Sequence, residues 1–181
     1  MTKYVALLRG VNVGRAKRVG MEDLRAVVTD LGFSDVRTLL NSGNVVFSAS
    51  RRLAKNTSTR LQGALLERTG VSSRMTLLSG EEVRAMFEQC PLLTVAGDPA
   101  RLLVAVPSSP SETERLKPLE KRDWAPEALA IGPRVAYLWC PDGLIASPLA
   151  QAVGKELGDS VTTRNWTTVT KIVDALRDRT V

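Results

Sequence analysis

The sequence predicts an α+β protein. Three observations carry this. An apolar run, "KYVALLR", opens the chain over residues 3–9; "MEDLRAVVTDLGF" follows with apolar residues at helical spacing; and Asn41-Ser42-Gly43 divides a stretch rich in β-branched residues into two short runs.

Taken in order, residues 3–9 read as a strand. The next segment reads as a helix with Met21, Leu24, Val27, Val28 and Leu31 on one face, ended by Gly32. "VRTLL" and "NVVFS" form an antiparallel hairpin about the turn at residues 41–43. A second helix is predicted over residues 52–69, with Leu53, Leu61, Leu65 and Leu66 as core candidates, and "SRMTLLS" supplies a fourth strand. The order βαββαβ fits a ferredoxin-like unit, two helices on one face of a four-stranded antiparallel sheet, over residues 1–79.

Residues 80–181 predict a second α+β subdomain packed into the same unit. "GEEVRAMFEQC" reads as a helix ended at Cys90-Pro91, "LLTVAGDPA" as loop and "RLLVAVP" as a strand. "SETERLKPLEKR" is a helix despite Pro118, and "EALAIGPRVAYLW" is a hairpin turning at Gly132-Pro133. "SPLAQAVGKELG" and "NWTTVTKIVDALRDR" close the chain as helices, the last capped by Asn165 or Thr163 and buried along Trp166, Val169, Ile172, Val173 and Leu176. This half reads βαββα plus a helix, packed against or extending the first sheet. In the first strand Tyr4, Ala6 and Leu8 alternate with Val5 and Leu7, and Leu102 to Val106 are apolar throughout, so both sheet faces are expected to be covered.

Composition narrows the function classes. The chain has 181 residues, 44% hydrophobic and 24% charged, with no run long enough for a membrane span and no secretory pattern at its start, so a cytoplasmic location is expected. It has no histidine, which excludes Ser-His and Cys-His nucleophile arrangements and the commonest metal ligand. Cys90 and Cys140 lack the spacing of a zinc or redox motif and read as buried small apolar residues. No metal, cofactor or catalytic residue is assigned. Glu22 and Asp23 lie where an acid or base would be useful, but the dipole of the first helix already explains acids there.

The net charge of +6 favours anionic partners, and its distribution is uneven. Arg9, Arg15, Lys17 and Arg18 precede the first acid at Glu22; Arg51, Arg52, Lys55 and Arg60 precede the next at Glu67. In a βαββαβ unit the end of the first strand, the start of the first helix and the hairpin turn share one end of the sheet. "RGVNVG" and "NSGN" should therefore meet. Gly10, Gly14 and Gly43 allow close backbone approach, while Arg9, Asn12, Lys17, Ser42 and Asn44 offer donors. The spacing matches neither G-x-G-x-x-G nor a P-loop. Arg164 is a further candidate that capping and packing leave unexplained.

These segments resemble a known family. "YVALLRGVNVG", "DLRAVVTDLGFSDVRTLLNSGNVVF" and "TTRNWTTVTK" are similar, in order and over nearly the full chain, to DUF1697, bacterial proteins of unknown function. The resemblance implies an α+β protein of ferredoxin-like character and no particular activity. The family's loop usually carries two consecutive glycines, where this chain has Gly14-Arg15.

The leading functional expectation is binding of a small anionic or phosphate-bearing metabolite at the loop end formed by residues 9–18 and 41–44, through Arg9, Asn12, Gly14, Lys17, Ser42, Asn44 and Arg164. RNA binding ranks second, since a sheet that binds RNA needs exposed aromatics and Tyr4 and Phe47 are the only candidates. An enzyme, with Glu22 or Asp23 as acid or base, is the third reading, and a regulatory or structural protein without a small-molecule ligand is a further alternative.

Overall fold

A computed structural model describes residues 1–177; the last predicted helical residues, 178 and 179, lie outside them. The described residues form two compact units, residues 1–83 with 171–177 and residues 84–170.

In the first unit, β1 (Thr2–Leu8), α1 (Met21–Asp30), β2 (Ser34–Leu39), β3 (Asn44–Ala49), α2 (Thr57–Thr69) and β4 (Met75–Ser79) follow the expected order. The sheet runs β2-β3-β1-β4, antiparallel throughout. Val5 faces Val46 and Leu78 across the strands, and Ala6 faces Val45 and Leu77. Tyr4, Ala6, Leu8, Val45 and Phe47 pack with Leu24, Val27 and Val28 of α1 and Leu61 and Leu65 of α2 in one core. The alternate residues Val5, Leu7, Val46 and Leu78 are buried as well, so both faces are covered. Gly32 ends the α1 turn at φ 87°, a left-handed conformation that side chains resist.

The α2 helix begins later than its apolar spacing suggests. Leu53 does pack on the core, but as part of a nonhelical segment ahead of the helix. After β4, α3 (Gly80–Glu88) starts with no intervening residue. Ser79 and Glu82 cap it reciprocally: Ser79 N–H donates to the Glu82 carboxylate at 2.7 Å, and Glu82 N–H donates to Ser79 Oγ at 3.1 Å.

The second unit comprises β5 (Leu102–Pro107), a 3₁₀ helix (Pro110–Lys121), β6 (Ala128–Ile131), β7 (Ala136–Trp139), α4 (Pro148–Leu157) and β8 (Val161–Asn165), the last running directly into α5 (Trp166–Arg177). The segment predicted as an ordinary helix around Pro118 is thus 3₁₀, since prolines at 110 and 118 withhold two backbone donors. The strand β8 is an addition to the sequence reading. It completes a second βαββαβ order, and the sheet β6-β7-β5-β8 repeats the arrangement of the first. The register repeats too: Val104 faces Tyr137 and Arg164, as Val5 faces Val46 and Leu78. Leu103, Ala105, Leu138 and Val161 pack with Leu116, Leu119, Leu149 and Val153 in this unit's core.

Candidate functional site

One loop distinguishes the two units. The connection from β5 to the following helix is Ser108 and Ser109 alone, whereas β1 reaches α1 through residues 9–20. The shared topology needs no long connection there. The extra chain is folded on itself and against the hairpin. Leu8 N–H donates to Gly43 O at 2.9 Å, Arg9 N–H to Arg74 O at 2.9 Å, and Ser73 Oγ to Arg9 O at 2.9 Å.

Asn12 organises the rest. Its backbone N–H donates to Lys17 O at 3.0 Å, its side-chain oxygen accepts from Val19 N–H at 2.9 Å, and its amide donates to Val19 O at 2.9 Å and to Asn41 O at 2.7 Å. Both amide protons are therefore used in holding the loop closed and joined to the hairpin turn. Asn44, fully buried, does the equivalent on the other side, donating to Leu39 O at 2.8 Å and Ser42 Oγ at 2.9 Å. Gly43 sits between them at φ 79°, where a Cβ would lie 2.7 Å from Val11 Cγ2 and 2.8 Å from Leu8 Cβ. The turn can lie on β1 only because position 43 has no side chain.

The structure thus brings Asn12 to the hairpin turn and Ser42 to Asn44. Gly14 stands exposed at φ 61° with nothing within 4 Å of a Cβ, so its backbone conformation rather than space favours glycine. Arg9 is half-buried at the base of the loop; Arg15, Lys17 and Arg18 are exposed on it. Lys17 adopts φ 50°, an unusual conformation for a residue with a long side chain.

The start of α1 is already served by its own acid. The Asp23 carboxylate turns back over Gly20, whose Cβ would lie 3.1 Å from Oδ2, and Asp23 Oδ1 also accepts from Arg68 Nε at 2.9 Å. Positive charge at this end therefore comes from the loop side chains. Asn41, expected only as part of the turn, takes the Asn12 amide on its carbonyl, and Arg74, which sequence reasoning passed over, takes the Arg9 N–H on its carbonyl. Arg74 directly precedes β4, the neighbour of β1, which is the signal that places it.

Arg164 lies in the second unit, on β8, buried and opposite Val104. Its guanidinium donates to Thr163 O at 3.0 Å, and burial lowers its pKa to about 10, leaving it cationic at neutral pH.

A family model described as "Protein of unknown function (DUF1697)" matches residues 1–137. The chain belongs to the DUF1697 family. The match takes in β1 to α3 and most of the second sheet, but neither the C-terminal segment of the first unit nor β8, which carries Arg164. No curated protein matches this DUF1697 chain. Among solved structures it is similar to the conserved bacterial protein SP0830 from Streptococcus pneumoniae, at 24% identity and a TM-score of 0.72, over 97% of this chain and 99% of that one. That likeness is one of fold.

Elsewhere in this DUF1697 protein the chemistry is quiet. Cys90 and Cys140 are both buried and free, and burial pushes each thiol up, away from the reactive thiolate. Among the described residues no cluster of acids, cysteines or histidines could hold a metal ion, and no helix is long and apolar enough to cross a membrane.

Proposed function

We propose that this protein binds a small anionic or phosphate-bearing group at the loop end formed by residues 9–18 and 41–44. The observation that carries this reading is the β1–α1 connection: where the second unit joins the same elements through Ser108 and Ser109, the first inserts a latched loop bearing Arg9, Arg15, Lys17 and Arg18. Asn12 and Asn44 shape that loop rather than meet the ligand, since their amide protons are already committed. Arg15, Lys17 and Arg18 supply charge, and Lys17 holds its backbone in a conformation that local energetics disfavour. A loop prefolded in this way loses little freedom when an anion arrives. The sheet-face mode of RNA recognition gains no support, because Tyr4 and Phe47 lie in the helix-side core.

The test is a thermal-shift titration with pyrophosphate at low ionic strength. The expected result is a rise in Tm that Lys17→Gln with Arg18→Gln removes, while the unliganded Tm stays within the range of other surface substitutions. No rise in the native protein would reject the reading.

A further inference from the structure

We infer that the anion taken by this loop is the phosphodiester backbone of a nucleic-acid strand, held along a basic face longer than the loop itself; the inference rests on the loop reading and extends it. Part of the second acid-free basic run, Lys55 and Arg60, approaches the same end of the sheet, whereas Arg51 and Arg52 follow Ala49, which pairs with Thr2 at the other end. Ser58, in the first turn of α2, donates to Met75 O at 2.6 Å, and Met75 pairs with Leu8 at the end of β1. The residue before it, Arg74, joins Arg9 through the backbone. Lys55 and Arg60 flank Ser58 in sequence, so the start of α2 adds cations near Arg74, the residue that leads into β4 and is joined by its carbonyl to the base of the β1–α1 loop.

Arg15, Lys17, Arg18, Lys55, Arg60 and Arg74 are all exposed, and none forms an ion pair among the described residues. Of the two acids in the first turn of α1, Asp23 is turned toward Arg68, which also meets Asp30, while Glu22 is exposed, one negative charge against the cations of the loop. Cations carried on three separate segments exceed what one phosphate group can meet, whereas a chain of phosphates meets them in succession. Arginine predominates, and its fork suits phosphate oxygens. With Tyr4 and Phe47 in the core there is no aromatic platform on the sheet for bases, so contact is with the backbone and shows little sequence preference. Val13 is the one exposed large apolar residue on this loop, too little to anchor a lipid surface.

The experiment compares labelled single-stranded RNA and DNA of mixed sequence, by anisotropy over a range of salt, with pyrophosphate in thermal shift. The native protein and a Lys55→Gln, Arg60→Gln variant are used; both positions are exposed, and matching circular dichroism confirms the variant's fold. Binding of either strand is expected, with a log–log salt slope that falls by about 1.4 in the variant, about 0.7 for each lost contact, and an unchanged pyrophosphate shift. Whichever strand binds more tightly identifies the source. A pyrophosphate shift without strand binding, or strand binding indifferent to the two substitutions, overturns this inference and leaves the loop reading standing. No response to either ligand overturns both. Stronger retention on phosphatidylserine vesicles than on either strand at the same salt also overturns it.

Discussion

The side-chain amide of Asn12 donates to the main-chain carbonyl of Asn41, 2.7 Å away, across 29 residues of sequence. The same amide group holds Val19 O, and its oxygen holds Val19 N–H. Asn12→Gly keeps the backbone at φ 56° accessible but removes all three bonds, and it should destabilise by about 1–3 kcal/mol in urea unfolding. Asn12→Asp should be worse, because it sets a carboxylate against two carbonyls. An Asp variant more stable than the Gly variant would refute the latch.

Lys17 presents the opposite balance. Its left-handed backbone is strained, and glycine relieves that strain while adding freedom to the unfolded chain. Lys17→Gly should leave stability unchanged or raise it by up to about 1 kcal/mol, yet weaken the pyrophosphate shift. Calorimetry with and without pyrophosphate reads both effects.

Gly43→Ala combines an unfavourable φ with contacts under 3 Å to Val11 and Leu8. Overpacking and backbone strain together predict a loss of about 2–4 kcal/mol. Because the hairpin turn and the loop both rest on this point, the variant should lose anion binding with stability. Gly63→Ala, on α2 with open space around it, should cost nothing and serves as the control.

In the second unit, Glu112 closes a capping box on Ser109. Burial pushes its carboxyl up, but hydrogen bonds from Ser160, Ser109 and Ser108 outweigh this and hold its pKa below the usual carboxylate value. A depressed carboxylate contributes stability above its unfolded pKa and loses it as pH falls through the folded value. Glu112→Gln should therefore cost about 1 kcal/mol at neutral pH. The difference should vanish in acid below the folded pKa, as measured by urea midpoints across pH.

The elements that a single-sequence reading recovers are those whose apolar period is unmixed. Leu24, Val27 and Val28 on α1, and Tyr4 to Leu8 on β1, follow one period from end to end and are all buried. The β8 strand escaped because Val161 is the only apolar residue in Val-Thr-Thr-Arg-Asn, and Thr162 and Arg164 are buried without looking so. Asn165 did read correctly as the cap of α5, accepting from Thr168 N–H at 2.9 Å. The α2 start was misjudged because Leu53 reaches the core without being helical. At the candidate site, the meeting of Asn12 with the hairpin turn followed from strand direction alone. That Asn12 and Asn44 spend their amides on backbone carbonyls did not, since composition says nothing of where an amide points.

The two junctions at which a strand becomes a helix without a spare residue, Ser79 to Gly80 and Asn165 to Trp166, bear on where this chain will accept foreign sequence. A peptide inserted at either would separate a ladder residue from the helix it caps, breaking strand pairing and cap together. The turns over residues 92–97 border no such junction, and Leu93 and Val95 there are exposed. An epitope tag or a fused domain belongs in that stretch, where the backbone owes least to its neighbours.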